Sequence, residues 1–303
     1  MEFALNYSPE AADLVQAGRL EIDYFKCPNW SDIVAQASEL RPVNIHFPLK
    51  IGRGVGDAWN GELNQPVDWG MVEHFLSVTA TPYVNLHLSI PHPNPKIAID
   101  DLSQSAFDLA LETVMGDLMP VIRRFGAERL IIENETQNHQ HNTHISVVPQ
   151  FIAQVVRESQ CGFLFDLAHA ELAAREWGID PQVYVQELPL AHIREIHVAG
   201  IQYLDQAWID RITTYSQTLS EQRPLFPLHV NSWMDHLPLV EENWPFITWA
   251  LNQVHEGAWS SPWITSLEYG GVGGFFGAVT TYESLENDVP RLYQQVKPKI
   301  SSK

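Results

Sequence analysis

The chain has 303 residues, 45% of them hydrophobic, so it can bury the core of one large barrel or of two smaller domains. It carries 18 basic and 37 acidic residues, and the resulting charge of -19 repels phosphate backbones and attracts metal cations. No run approaches the roughly 18 consecutive apolar residues of a membrane span, and the first residues lack the basic and apolar regions of a signal peptide. We therefore expect a cytoplasmic protein that binds neither nucleic acid nor a membrane.

Eight short β-rich segments recur along the chain. They are FALNY at 3–7, LEIDYFK at 20–26, VNIHF at 43–47, PYVNLHL at 82–88, RLIIE at 129–133, GFLFD at 162–166, REIHV at 194–198 and WITSLE at 263–268. Amphipathic stretches at 104–126 and 147–159 have apolar residues every three or four positions and predict helices between the strands. Eight β/α units in this length fit a (β/α)8 TIM barrel, an α/β fold, and a doubly wound open sheet is the alternative.

The rest of the chain gives few signs of further organisation. No low-complexity segment, charge run or Gly/Ser linker divides it, so we predict a single domain over residues 1–303. The segment LFPLHVNS at 225–232 is expected in a long loop between the seventh and eighth strands. Cys27 and Cys161 are too few for a disulfide framework and form no CxxC pair, so we expect them to be small buried hydrophobic residues.

Six successive predicted strands carry a histidine or a carboxylate near their carboxyl ends. In order these are His46, His87, Glu133, Asp166, His197 and Glu268, and His169 follows three residues after Asp166. In a TIM barrel the carboxyl ends of the strands meet at one face, which is where such barrels place their active sites. Burying such a group without a partner costs several kcal/mol, and a shared cation would remove that cost. The pattern predicts a metal site, and a buried hydrogen-bonded network is the alternative.

The predicted ligands have the composition of a catalytic metal site. Imidazole and carboxylate groups suit zinc, manganese, iron or cobalt better than calcium, and ligands from several strands leave one coordination position open for substrate. Glu133 and Glu268 are placed to act as acid and base, moving a proton at a carbon beside a metal-polarised carbonyl.

Two further features lie close to the predicted strand ends. The glycine-rich segment IGRGVGD at 51–57 is expected to be a mobile lid, an anion-contacting loop or an irregular turn. Trp233 and Trp259 precede the last strand and are candidates for stacking against a substrate, although packing in the core is the commoner role of tryptophan.

The segments IIEN, FDLAH, EIHVAG and LEYGG, in this order, resemble the xylose-isomerase-like TIM-barrel superfamily from about residue 43 to 270. This superfamily includes sugar isomerases and ketose 3-epimerases, endonuclease-four-type phosphodiesterases, and a branch that contains iron-dependent methanobactin-maturation oxidases. The most specific single match is the Asp-x-x-His spacing of Asp166 and His169. The resemblance implies a TIM barrel that binds one to three divalent metal ions.

The branches imply different roles for the same residues. In the epimerase pattern, one divalent metal has four ligands: Glu133, Asp166, His197 and Glu268. Glu133 and Glu268 would exchange the proton, and His169 would contact the substrate. In the endonuclease pattern, further metal ligands are implied at His46, His87 and His229. Pro227 stands where the endonuclease and oxidase branches have an aspartate, which argues against a complete trinuclear site.

The leading functional hypothesis is a metal-dependent isomerase or epimerase of a small sugar or sugar phosphate. The first alternative is a multi-metal iron or zinc enzyme of the same superfamily, either an oxidase acting on a peptide or a phosphodiesterase, and the charge of -19 argues against DNA as its substrate. The second alternative is a non-catalytic barrel that binds a ligand. We expect a small-molecule substrate, with carbohydrate favoured, and a homodimer by analogy with other barrels.

Overall fold

The computed structural model describes residues 1–136, 142–219 and 231–298. The strands in these ranges are β1 (Glu2–Asn6), β2 (Tyr24–Pro28), β3 (Val43–His46), β4 (Leu49–Ile51), β5 (Trp59–Asn60), β6 (Gln65–Pro66), β7 (Val84–Leu88), β8 (Leu130–Glu133), β9 (Gly162–Asp166), β10 (Ile193–Val198), β11 (Gly200–Leu204), β12 (Ser232–Leu237) and β13 (Ile264–Leu267). The helices are α1 (Pro9–Gln16), α2 (Ser31–Ser38), α3 (Trp69–Val78), α4 (Gln104–Phe125), α5 (Pro149–Ser159), α6 (Leu167–Glu176), α7 (Pro181–Val185), α8 (Gln206–Ser216), α9 (Trp244–His255), α10 (Gly274–Val279) and α11 (Tyr282–Val296). Short 3-10 turns lie at Ala127–Arg129, His144–Val147 and Leu190–His192.

Each of the eight predicted strand segments overlaps a strand, namely β1, β2, β3, β7, β8, β9, β10 and β13, and the two predicted helices are α4 and α5. The start of β2 was predicted four residues too early. Asp23 precedes the strand and its carboxylate accepts the backbone N–H of Phe3 on β1 at 2.8 Å, so its side chain bonds to the neighbouring strand instead of continuing the alternation. Most of the segment 225–232 lies outside the described residues, and Ser232 begins β12.

The structure divides into two compact units. Unit 1 comprises Met1–Ile45, His197–Glu256 and Trp263–Lys303. In it, β1 pairs in parallel with β2 on one side and with β13 on the other, and β11 and β12 form an antiparallel pair. The register places Asn6 beside Lys26 and Leu5 beside Leu267. Lys26 and the residue after Leu267, Glu268, therefore flank the carboxyl end of β1.

Unit 2 comprises His46–Ile196 and Gly257–Pro262. Its central strands β7, β8 and β9 are parallel neighbours, with His87 opposite Glu133 and Glu133 opposite Leu164. Strand β4 extends this sheet beside β7, and the short β5 and β6 continue it in antiparallel pairing. The buried faces are rich in Leu, Ile, Val and Phe, each of which contributes about 1.5–3 kcal/mol when fully buried. Because β7, β8 and β9 are parallel neighbours, their carboxyl ends lie side by side.

Two expectations about the whole sequence can be compared with the structure. Cys27 and Cys161 are free and buried, as predicted, and burial raises the pKa of both thiols, that of Cys161 to about 11. Among the described helices, none has the length and apolar character needed to cross a membrane.

Candidate functional site

Unit 2 brings together five of the predicted site residues, which we call the histidine–carboxylate cluster: His46, His87, Glu133, Asp166 and His169. Nε2 of His46 lies 3.1 Å from Nε2 of His87. Oε2 of Glu133 lies 3.6 Å from Nε2 of His46 and 3.3 Å from Nδ1 of His87. On the other side, Nδ1 of His169 lies 3.8 Å from Oε1 of Glu133. Strand ends and the start of α6 supply all five side chains.

The Asp-x-x-His spacing has a local structural cause. Asp166 is the N-cap of α6, and its Oδ1 accepts the backbone N–H of His169 at 2.8 Å. Because Oδ1 makes the cap, the other carboxylate oxygen, Oδ2, faces the imidazole of His169 and lies 3.8 Å from its Nε2. The spacing that the sequence singled out is therefore the spacing of a helix cap, and it also places the imidazole beside the carboxylate.

Asn134, which the sequence did not single out, fixes this turn. Its side-chain amide donates to the carbonyl of Asp166 and accepts the backbone N–H of Asp166, both at 2.9 Å. Its own carbonyl oxygen lies 2.7 Å from Nδ1 of His169. Because a carbonyl oxygen can only accept, Nδ1 carries the proton, and the lone pair of His169 is on Nε2.

Asn85 is a second amide that the sequence did not single out. Its side chain accepts the N–H of Phe47 at 2.8 Å and donates to the carbonyl of Phe47 at 2.9 Å, which fixes the orientation of the amide. The same Nδ2 lies 3.2 Å from Nε2 of His46. Since an imidazole nitrogen has one lone pair, a cation at Nε2 of His46 would have to replace any hydrogen bond that this nitrogen accepts from Asn85.

Glu135 and Lys50 form an ion pair of 2.8 Å next to the cluster, and Glu135 also lies 3.6 Å from Nδ1 of His87. Burial opposes ionisation of Glu135, but Lys50 and the neighbouring His87 outweigh it and lower the pKa of the carboxyl below its usual range. Burial lowers the pKa of His87. His87 is therefore neutral at pH 7, which is the form of imidazole that binds a metal.

The donor chemistry of the cluster fits a divalent transition metal. Two ligands of a tetrahedral zinc ion lie about 3.3 Å apart, given metal–nitrogen bonds of about 2.0 Å. Nε2 of His46 lies 3.1 Å from Nε2 of His87 and 3.6 Å from Oε2 of Glu133, whereas His87 faces Glu133 with its other nitrogen, Nδ1. Nδ1 of His87 is buried and makes no hydrogen bond to the described residues. Groups of histidines and carboxylates that could hold a metal ion do occur in the described part of the chain.

Unit 1 contains a second set of buried polar residues, which we call the lysine triad: Lys26, His197 and Glu268. The ammonium of Lys26 lies 2.7 Å from Oε1 of Glu268 and contacts Nε2 of His197. Nδ1 of His197 lies 3.3 Å from Oε2 of Glu268. From β12, Nδ1 of His236 lies 3.2 Å from the carbonyl oxygen of Glu268, and Nε2 lies 3.8 Å from Asp235. Lys26, Asp235 and His236 were not predicted from the sequence.

The glycine-rich segment at 51–57 is hydrogen-bonded to a buried carboxylate of unit 2. Asp117, fully buried on α4, accepts the backbone N–H groups of Gly52, Gly54 and Gly56 at 3.0, 2.8 and 2.7 Å. Gly52 has a φ of 111°, and a Cβ there would lie 2.9 Å from the carbonyl oxygen of Ser89. The backbone N–H groups of this loop therefore bind a carboxylate of the protein itself, that of Asp117.

The remaining predicted residues are distributed as follows. Trp259 packs edge-on against Phe165 with ring centroids 5.7 Å apart, whereas Trp233 on β12 is 44% exposed and packs against Tyr203 on β11. His229, predicted as a further metal ligand, lies outside the described residues. That Glu133, Asp166, His197 and Glu268 share one metal stays a prediction.

Comparison with known proteins places this site in context. The model of a family described as RiPP precursor modification enzyme MbnB/TglH/ChrH matches residues 63–220. A UPF0276 protein of Vibrio vulnificus (strain YJ016) is 38% identical over 99 residues, covering 31% of this chain and 32% of the relative. A UPF0276 protein of Chromobacterium violaceum is 24% identical over 191 residues, covering 63% of this chain and 65% of the relative. The chain spans less than two thirds of the length of each of these relatives.

Solved structures with a similar fold cover almost the whole chain. A D-psicose 3-epimerase in the presence of D-fructose has a TM-score of 0.51 at 10% identity, covering 97% of this chain and 98% of that one. The apo form of a 3-keto-D-glucoside 4-epimerase from E. coli has a TM-score of 0.52 at 11% identity, covering 97% and 99%. At this identity the likeness shows the fold alone. The fold is the TIM barrel of the xylose-isomerase-like superfamily, so the predicted fold class and resemblance are confirmed.

Proposed function

Because the chain belongs to the family of RiPP precursor modification enzymes MbnB/TglH/ChrH, we propose that it is a metal-dependent enzyme that modifies a ribosomally synthesised precursor peptide. One observation carries the proposal: the matched range, residues 63–220, contains four of the five members of the histidine–carboxylate cluster, namely His87, Glu133, Asp166 and His169. The family likeness and the buried cluster therefore coincide in the same part of the chain.

We assign the metal to His46, His87 and Glu133, with Asp166 and His169 beside them. These groups are imidazoles and carboxylates, the donor types that suit a divalent transition metal, and Nε2 of His46 lies 3.1 Å from Nε2 of His87 and 3.6 Å from Oε2 of Glu133. A divalent transition metal bound there would supply a Lewis acid and, in the case of iron, a redox centre next to the peptide. A metal bound to Nε2 of His46 would take the lone pair that faces Nδ2 of Asn85.

The surrounding residues hold the reacting groups in position. Asn134 and the helix cap fix the turn from Asp166 to His169, so that the imidazole has a set tautomer with its lone pair on Nε2. This nitrogen can accept a hydrogen bond or a proton from an N–H, O–H or S–H group of the substrate. Lys50 keeps Glu135 ionised beside Nδ1 of His87, and the Lys50–Glu135 pair itself is neutral.

An isomerase or epimerase of a small sugar is the second candidate. Glu133 and Glu268 are both buried carboxylates at strand ends, as that proton exchange requires. The two candidates differ in substrate and in the fate of a proton. An isomerase incorporates solvent deuterium into a ketose or aldose, whereas a peptide-modifying enzyme changes the mass of a peptide and exchanges no sugar proton.

Co-expression tests the peptide proposal. The protein would be produced together with each short peptide encoded beside its gene, and each peptide would then be weighed by mass spectrometry. We expect a defined mass change in one peptide with the unaltered protein and none with His87→Ala or Glu133→Gln. Unchanged peptides, together with solvent deuterium incorporated into a ketose or aldose, would replace the proposal by the isomerase.

A further inference from the structure

Lys26 is a lysine in the interior of unit 1. It lies in the middle of β2, between the buried Phe25 and Cys27, and only 2% of its surface is exposed. The parallel register of β1 and β2 places it next to Asn6, at the carboxyl end of β1. An ammonium group that deep is unfavourable unless an opposite charge and hydrogen-bond acceptors surround it. Glu268 provides the charge at 2.7 Å, and His197 provides an acceptor.

We propose that the ammonium of Lys26 is the resident cation of Glu268 and His197, in the place that a metal ion would otherwise take. The two residues that the sequence predicted as metal ligands in unit 1 are then bound to lysine, and metal binding is confined to the histidine–carboxylate cluster of unit 2. This inference rests on the proposed function only in that the chain is taken to bind a divalent metal.

The hydrogen-bonding chemistry of the lysine triad is self-consistent. Lysine can only donate, so the nitrogen of His197 that it contacts, Nε2, is the unprotonated one. The proton of the neutral ring is then on Nδ1, which lies 3.3 Å from Oε2 of Glu268. Lys26 therefore takes the lone pair of His197 and one carboxylate oxygen of Glu268, so a metal ion could bind the imidazole only by replacing the lysine.

Charge reinforces this assignment. One ammonium and one carboxylate make the triad neutral, so it has no net negative charge with which to attract a divalent ion. A metal ion about 2 Å from both Glu268 and His197 would stand next to the ammonium, and like charges at such a distance repel. Metal binding by this pair would thus require Lys26 to leave its position or to lose its proton.

Metal stoichiometry measured by elemental mass spectrometry tests the proposal. The protein and its variants would be dialysed against Zn²⁺ or Mn²⁺, then against buffer, and the ions per folded chain counted. We expect Lys26→Met, which keeps the length of the side chain and removes its charge, to bind one ion more than the unaltered protein. Glu268→Gln should bind the same number as the unaltered protein. Lys297→Met removes a surface ion pair of the same unit, with Glu2 and Asp23, and serves as the control with an unchanged count.

Two results would overturn the inference: a folded Lys26→Met with no added ion, or the loss of one ion in Glu268→Gln. If Lys26→Met does not fold, the metal count of Glu268→Gln decides alone. An unchanged number of ions per chain supports the proposal, and the loss of one ion refutes it. Failure of the proposed function looks different: the unaltered protein then binds no metal, or His87→Ala binds as much as the unaltered protein. A gain of one ion in Lys26→Met would still support the inference in that case.

Discussion

Removal of the Asp117 carboxylate should release the glycine-rich loop at 51–57 and destabilise unit 2. Asp117 is fully buried and accepts three backbone N–H groups, from Gly52, Gly54 and Gly56. A hydrogen bond to a charged group contributes about 1.5–3 kcal/mol, so three sum to about 4.5–9 kcal/mol. The variant recovers part of this free energy because the N–H groups in the exposed part of the loop can form hydrogen bonds with water. We expect Asp117→Ala to lower the free energy of unfolding by about 3–5 kcal/mol.

The conservative variant gives a graded comparison. Asp117→Asn keeps one oxygen, which can still accept the N–H groups of Gly52 and Gly54, and loses the bond from Gly56. We expect a loss of about 1–3 kcal/mol for this variant. Asp108→Ala on the same helix is the control, because Asp108 is exposed and bonds only to the side chain of Gln104 in the described structure.

Urea unfolding followed by circular dichroism measures these losses, and limited trypsin digestion reports on the loop. Arg53 is exposed within the loop and stacks over Trp59 at 4.1 Å, so cleavage after Arg53 should be slow in the unaltered protein and fast in Asp117→Ala. Equal cleavage rates in the two proteins, or an unfolding loss no larger than that of Asp108→Ala, would refute the role given to Asp117.

Three further predictions concern other parts of the molecule. Burial raises the pKa of Asp288 to about 6, so the stability that its protonation contributes is present below about pH 4 and is lost as the pH rises through 6. Asp288→Asn should therefore be more stable than the unaltered protein by about 2–3 kcal/mol at pH 8, with a smaller gain at pH 4, as urea melts at both pH values would show. Asn134→Ala removes both side-chain hydrogen bonds to the backbone of Asp166, so metal affinity measured by titration calorimetry should fall by about 10- to 100-fold. An unchanged affinity would mean that metal binding does not depend on these two hydrogen bonds. Cys161 should react with iodoacetamide at pH 8 only after unfolding, because it is buried and its thiol pKa is raised to about 11; rapid labelling of folded protein would contradict its burial.

The sequence predicted the parts of the fold that depend on local pattern. Buried parallel strands such as GFLFD and RLIIE are short apolar runs, and residues at their carboxyl ends are expected to meet in a barrel. Glu133, His87 and His46 were predicted in this way and do lie together in unit 2. The short strands β4, β5 and β6 were missed because two or three residues are too few for a visible alternation.

Residues whose role depends on distant partners could not be found by pattern. Lys26 sits in the strand YFKCP, where a lysine usually marks a solvent-facing position, and only the pairing of β1 with β2 and β13 brings it to Glu268. Asn85 and Asn134 were missed because amides are not metal ligands of choice. The side chain of Asn85 contacts His46, whereas Asn134 contacts His169 through its backbone carbonyl and Asp166 through its side chain. A polar residue inside an apolar strand was the signal available for Lys26 and Asn85.

The central claim is that the histidine–carboxylate cluster of unit 2 binds a metal ion. Elemental mass spectrometry on gently purified, tag-free protein tests it most directly, with His87→Ala and the control Lys297→Met as paired variants. We predict at least one zinc, manganese, iron or cobalt ion per chain in the unaltered protein and in Lys297→Met, and one ion fewer in His87→Ala. A protein that holds no metal even after reconstitution, or a His87→Ala variant with an undiminished count, would contradict the claim.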